Sequence, residues 1–167
     1  AASDVYKRQV SENTIYVGAS DRRLAKFENL FPIPRGVSYN AYVILDEKTA
    51  LLDTADASVG AQFLENVAAA LDGRKLDYLI VDHMEPDHAA MIEAVLVRWP
   101  DLRLVVNAKT LPMLKMYFPT DNAAIDDALV VKEGDTLDLG KHKLTFVMAP
   151  MVHWPEVMMT FDTTTGT

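Results

Sequence analysis

The sequence predicts an α/β fold, and two features of its pattern carry that prediction. From residue 49 to residue 106, short apolar runs alternate with helical patterns in the order strand, helix, strand, helix, strand. That order implies parallel pairing through right-handed crossovers. From residue 128 onward the pattern becomes consecutive strands with turn signals between them, which implies hairpins. Together these describe one half of an α/β sandwich and the start of a second. A length of 167 residues suits one domain, and a 50% hydrophobic composition supplies a sizeable core.

Taken in order, residues 14–17 (TIYV) are a β-branched and aromatic strand, and residues 24–30 are expected to pair with them after the charged turn 21–23. The stretch FPIPRG at 31–36 excludes helix, because proline fixes φ and biases the residue before it toward extended backbone. Residues 38–45 and 49–52 form a hairpin about the acidic turn 46–48, ending at Asp53. Asp56 or Ser58 caps a helix running to Leu71, with Phe63, Leu64, Val67, Ala68 and Leu71 on one face and Gly73 beyond its end. A strand at 76–81 follows. A helix at 89–99 then buries Met91, Ile92, Val95, Leu96 and Trp99 until Pro100 stops it. Residues 103–106 are a strand and 110–117 a short helix, with Pro112 tolerated in its first turn. Strands at 128–131, 136–139, 143–148 and 157–162 complete the chain, with Gly140-Lys141 as a two-residue turn.

The net charge of −8, with acids scattered throughout, argues against a nucleic-acid groove or an anionic membrane surface as partner. Without cysteine there is neither a disulfide framework nor a thiolate metal site. Nothing reads as a signal peptide or a spanning segment, so the cytoplasm is the expected location. Residues 4–9, DVYKRQ, match one reading frame of a common transposon sequencing adapter, so 1–9 are set aside as a non-native leader and 10–167 are taken as the domain. The turn signal at 163–166 promises a further strand beyond Thr167, as in a gene fragment.

The chemistry concentrates in residues 76–88, LDYLIVDHMEPDH. An apolar strand delivers His83, Glu85, Asp87 and His88 to the loop at its carboxyl end, four potential ligands within six residues. Imidazole and carboxylate together suit iron, manganese or zinc. Glu85 and Asp87 placed about 4 Å apart would repel each other by about 4 kcal/mol at an effective dielectric near 20, which a cation relieves. His153, in the loop APMVHWPE, again follows an apolar strand and is a fifth candidate. Asp53 is either a hydrogen-bond partner of a ligand or a strand cap. His142 reads as an exposed turn residue, and Asp162 as facing solvent beside the 163–166 turn. The methionines at 148, 151, 158 and 159 read as core filler. No glycine-rich phosphate loop occurs.

The spacing His-x-Glu-x-Asp-His resembles the signature of the flavodiiron proteins, whose metal domain has the metallo-β-lactamase fold. Hydrolases of that fold have histidine at the position of Glu85. The passage FENLFPIPRGVSYNAYVILDEKTALLDT at 27–54 also resembles the opening of flavodiiron metal domains. The resemblance implies the first half, and the start of the second, of a metallo-β-lactamase-like αββα sandwich, with a flavodoxin-like FMN domain outside the chain. It implies two iron ions, one held by His83, Glu85 and His153 and the other by Asp87 and His88. A bridging aspartate and a last histidine would lie beyond Thr167.

The implied reaction is reduction of dioxygen to water, of nitric oxide to nitrous oxide, or both, with electrons from FMN and a donor such as rubredoxin or a flavin reductase. The full-length protein would be a homodimer, and this chain alone is expected to be inactive. Trp154 would line the pocket where flavin approaches, or simply pack. The competing readings are a zinc hydrolase of the same fold acting on an ester or thioester, and a binding or inert fragment.

Overall fold

The computed structural model describes residues 8–119 and 123–167. Its strands and helices are, in chain order, β1 (Arg8–Gln9), β2 (Thr14–Tyr16), β3 (Ala19–Asp21), β4 (Lys26–Phe27), β5 (Phe31–Pro32), β6 (Val37–Tyr39), β7 (Tyr42–Leu45), β8 (Thr49–Leu52), α1 (Gly60–Leu71), β9 (Tyr78–Ile80), α2 (Pro86–Ala89), α3 (Ile92–Arg98), β10 (Arg103–Asn107), α4 (Thr110–Tyr117), α5 (Ala123–Asp126), β11 (Leu129–Val131), β12 (Thr136–Asp138), β13 (Lys143–Met148) and β14 (Met158–Asp162). A seven-stranded sheet has the order β1-β2-β7-β8-β9-β10-β11, parallel from β8 to β11 and antiparallel from β1 to β8. A second sheet is β12-β13-β14, all antiparallel.

The central strands are apolar at consecutive positions because both of their faces are covered. Val43, Leu51, Leu79 and Leu104 pack with Phe63, Val67 and Leu71 of α1 and with Ile92 and Val95 of α3. Their neighbours Ile44, Ala50, Ile80 and Val105 pack instead with Leu137, Leu144, Phe146 and Met158 of the second sheet. Alternation along each strand therefore makes a helix layer, a sheet and a second sheet.

Several sequence expectations are corrected. Residues 24–30 do not pair with β2. β3 pairs with β6, and β4 with β5, as two small ribbons. Helix begins at Pro86 rather than at residue 89 as expected, and it is interrupted at residues 90–91 between α2 and α3. Thr54 captures the His88 carbonyl through both its N–H (2.7 Å) and its hydroxyl (2.6 Å), so that carbonyl is diverted from the helical ladder. The break seats Met91 against α1, where a Cβ on Gly60 would lie 2.6 Å from the Met91 sulfur. Arg8 and Gln9, at the end of the stretch 1–9, pair with Tyr16 and Ile15, and residues 1–7 lie outside the described residues.

His142 and Asp162, expected at the surface, are buried at 3% and 4% exposure. The Gly140-Lys141 turn does form, closed by Leu139 N–H donating to the His142 carbonyl at 2.9 Å. It folds the His142 ring inward, where Nδ1 meets Asp162 Oδ2 at 2.7 Å and Nε2 lies 3.2 Å from the Asn13 amide. The His142 N–H donates to Asp46 Oδ2 at 2.6 Å. The cluster clasps the two sheets together at one end. Burial alone would raise the Asp162 carboxyl, but hydrogen bonds from His142, Thr165 and the Thr164 N–H outweigh it and hold it below its ordinary value of 3.8. A carboxyl depressed in the folded state stabilises above its unfolded pKa, and that stability disappears as pH falls below about 4. His142→Ala is expected to cost about 1–3 kcal/mol at pH 7, since it leaves a buried acceptor short of a donor. It should also flatten the acid limb of urea unfolding between pH 4 and 2, and a substituted chain with the parent's acid limb would show that the clasp does not act this way.

Candidate metal centre

β9 ends at Ile80, and the chain beyond it is held at both edges. Val81 N–H donates to Val105 O at 3.0 Å, and Asp82 N–H to Asp53 Oδ1 at 2.7 Å. Asp53 ends β8 in the left-handed region, at φ 54°, which short polar side chains tolerate better than most. That turn aims its carboxylate at the loop. Oδ1 also receives the His83 N–H at 3.4 Å, and Oδ2 meets His88 Nδ1 at 2.9 Å. Asp53 is thus both strand cap and anchor of the 82–88 loop.

The loop delivers His83 and Glu85 to one point, and the loop after β13 brings His153 to the same point. Glu85 Oε2 lies 3.0 Å from His83 Nε2 and 2.7 Å from His153 Nε2. One donor atom from each of the three residues falls within 4.8 Å of the others. His83 and Glu85 are buried, whereas the His153 side chain is 56% exposed, so the centre opens on that side. Burial would raise the Glu85 carboxyl, but the hydrogen bonds from His153 and His83 win and hold it at about 2.

Asp87 and His88 stand beside this triad and outside it. Glu85 precedes α2 as its N-cap, so Pro86 begins the helix and Asp87 and His88 lie on its turns. Asp87 and His88 therefore stand on a helical turn, while His83 and Glu85 come from the extended stretch before it. The His88 ring is 5.2 Å from that of His83, and its Nε2 is 3.6 Å from Asp87 Oδ2. Burial opposes protonation of His88, but the Asp53 contact prevails and raises its pKa. Burial likewise raises the Asp87 carboxyl, whose Oδ1 is enclosed without a partner. Trp154 is half-buried, with its ring edge-on to His83 at 5.2 Å and 87°.

Three acids near the centre escaped sequence reasoning. Glu156 meets His83 Nδ1 at 2.7 Å. Its nearness to His153 in the chain was the available signal. Asp82 accepts from the Thr160 hydroxyl at 2.8 Å, and burial and then Asp53 push its carboxyl well up. Glu28, at the β4–β5 turn, has its carboxyl pushed up first by Glu85 beside it. Nothing in its local pattern marks it.

The donor set is two imidazoles and a carboxylate with their ligating atoms turned toward each other, and Asp87 Oδ1 is a nearby buried acceptor with no donor. Such a set fits a borderline cation such as iron or zinc.

A family model described as "ODP family beta lactamase" matches residues 37–167. The chain belongs to that family. This ODP-family chain is 36% identical over 154 residues to a nitric oxide reductase of Moorella thermoacetica, covering 91% of the chain and 38% of the relative. It is 36% identical over 158 residues to the anaerobic nitric oxide reductase flavorubredoxin of Klebsiella pneumoniae, covering 92% and 32%. Among solved structures it is similar to rubredoxin oxygen:oxidoreductase from Desulfovibrio gigas, with a TM-score of 0.86 and 31% identity over 93% of this chain and 38% of that one. It is also similar to a flavoprotein of Thermotoga maritima, with a TM-score of 0.83 and 28% identity over 94% and 38%. The chain therefore spans less than two fifths of each of these proteins. The flavodiiron resemblance read from 83–88 holds, and the fold is the N-terminal part of the metallo-β-lactamase-like arrangement.

Proposed function

We propose that the chain is the metal-binding part of a flavodiiron oxidoreductase that reduces dioxygen to water, nitric oxide to nitrous oxide, or both. The observation that carries this reading is Glu85 Oε2 set between His83 Nε2 and His153 Nε2. A two-histidine, one-carboxylate set is the arrangement of non-haem iron that handles oxygen. The names of the relatives, nitric oxide reductase and rubredoxin oxygen:oxidoreductase, point to the same chemistry.

His83, Glu85 and His153 would hold one iron, and Asp87 and His88 would contribute to a second. Iron bound there supplies redox chemistry toward a diatomic gas. The chain's own part is to orient the ligands and to limit water. Asp53 holds His88 and the start of the loop, and Trp154 walls one side of His83. Electrons would come from FMN on a flavodoxin-like domain outside residues 10–167, fed by rubredoxin or a flavin reductase, in a homodimer located in the cytoplasm. Among the described residues no helix is long and apolar enough to cross a membrane.

Metal analysis of anaerobically purified protein tests the reading. Iron is expected; zinc would favour a hydrolase, and neither metal a binding or inert fragment. With iron and chemically reduced flavin supplied, the chain alone should consume no oxygen beyond the flavin-only control. Sustained consumption above that control would overturn the view that a linked flavin domain is needed.

A further inference from the structure

Glu156 is 1% exposed and lies outside the cluster of His83, Glu85 and His153. Its Oε1 accepts from His83 Nδ1 at 2.7 Å and from the Met84 N–H at 3.1 Å. Its backbone carbonyl accepts from Asn107 Nδ2 at 2.6 Å. Asn107 in turn braces the turn that leads into α4, its Oδ1 receiving the N–H groups of Lys109 and Thr110 at 2.9 and 3.1 Å. The glutamate is therefore fastened to the scaffold through its backbone, and its side chain reaches one metal-ligand candidate. Its other oxygen, Oε2, is buried with no partner.

A carboxylate removed from water with one oxygen unmet is poorly compensated. What would compensate it better is a more polar N–H on His83, which is what a cation on the opposite ring nitrogen provides. His83 Nε2 already faces Glu85 and His153. We infer that Glu156 is a positioning residue for the cation. It holds His83 with Nδ1 carrying the proton and Nε2 free to ligate, and the Glu156 contact and cation binding strengthen each other. The inference rests on reading His83, Glu85 and His153 as metal ligands.

The test is a cobalt(II) titration of the 167-residue chain and of E156Q, together with thermal melts of both without metal. E156Q should bind cobalt(II) about 10–100-fold more weakly, while its metal-free melting temperature stays equal to or above the parent's. A merely structural clamp would give the reverse, with a lower metal-free melting temperature and unchanged affinity, and that result overturns the inference. If E156Q does not fold, nitrogen-15 NMR of the zinc-loaded parent decides. His83 should carry its proton on Nδ1, with a downfield hydrogen-bonded resonance, and a proton on Nε2 overturns the inference. A parent chain that takes up no cobalt(II) and no zinc sinks the ligand reading and this inference with it, whereas equal binding by parent and E156Q sinks this inference alone.

Discussion

Glu85→His is expected to lower the iron-to-zinc ratio of reconstituted protein by at least about tenfold, a shift of about 1.4 kcal/mol in relative affinity. Glu85 contributes the single negative charge among the three clustered residues, and its Oε2 contacts both imidazoles. Replacing it with a neutral nitrogen leaves three imidazoles, a set that suits zinc with an open fourth position. It also removes the charge that favours oxidised iron, and the charge-assisted contacts that hold Glu85 at about 2 disappear with it. The measurement is metal content after anaerobic reconstitution with equal iron(II) and zinc(II), for the parent and the variant side by side. An unchanged ratio would show that the carboxylate does not select the metal.

Asp53→Ala is expected to destabilise the fold by about 3 kcal/mol, which for a chain of this size lowers the melting temperature by about 6–12 °C. Three donors lose their acceptor at once: the Asp82 N–H, the His83 N–H and His88 Nδ1. Leaving such a group unpaired in a buried setting costs about 1–3 kcal/mol. Alanine is also poorly suited to the backbone at φ 54°, where a short polar side chain is tolerated. A partial offset comes from Asp82, whose carboxyl is pushed up partly by Asp53 and relaxes when that charge is removed. Asp53→Asn keeps an acceptor and tolerance of the backbone, so it should lose about half as much. Thermal melts of the three proteins check the order, and Asp53→Ala melting within 2 °C of the parent would mean the anchor is not needed.

The layers follow from local chemistry, so they could be read without coordinates. Val43 and Ile44, Ala50 and Leu51, Leu79 and Ile80 are adjacent apolar pairs, and a strand apolar on both faces must be covered on both. The loop of candidate ligands could be read for a similar reason. An apolar strand followed by His83, Glu85, Asp87 and His88 concentrates ligand chemistry where a strand ends, within one stretch of sequence. The break between α2 and α3 was not legible, because it depends on Thr54, 34 residues before the carbonyl it captures. Periodicity over residues 89–99 reports only the apolar face, which the break preserves in Ile92, Val95 and Leu96.

The turn at Gly140-Lys141 was visible in the sequence, but the direction of the next side chain was not. His142 turns inward because Asp162, Asn13 and Asp46, from three distant segments, meet it there. Glu156 and Glu28 belong to the same class. Each is an ordinary acid in its own neighbourhood and gains meaning only from the residue that folding places against it, His83 73 residues away in one case and Glu85 in the other. Parallel pairing over residues 49–106, the two-faced core and the type of ligand available could be read from sequence, since these depend on period and on side-chain identity within short windows, whereas β11, expected among the hairpins, joins β10 in parallel instead. Which acids partner which histidines is set by folding. Hydrogen bonds of about 3 Å are set by the packing of whole layers, and a local pattern carries no record of that distance.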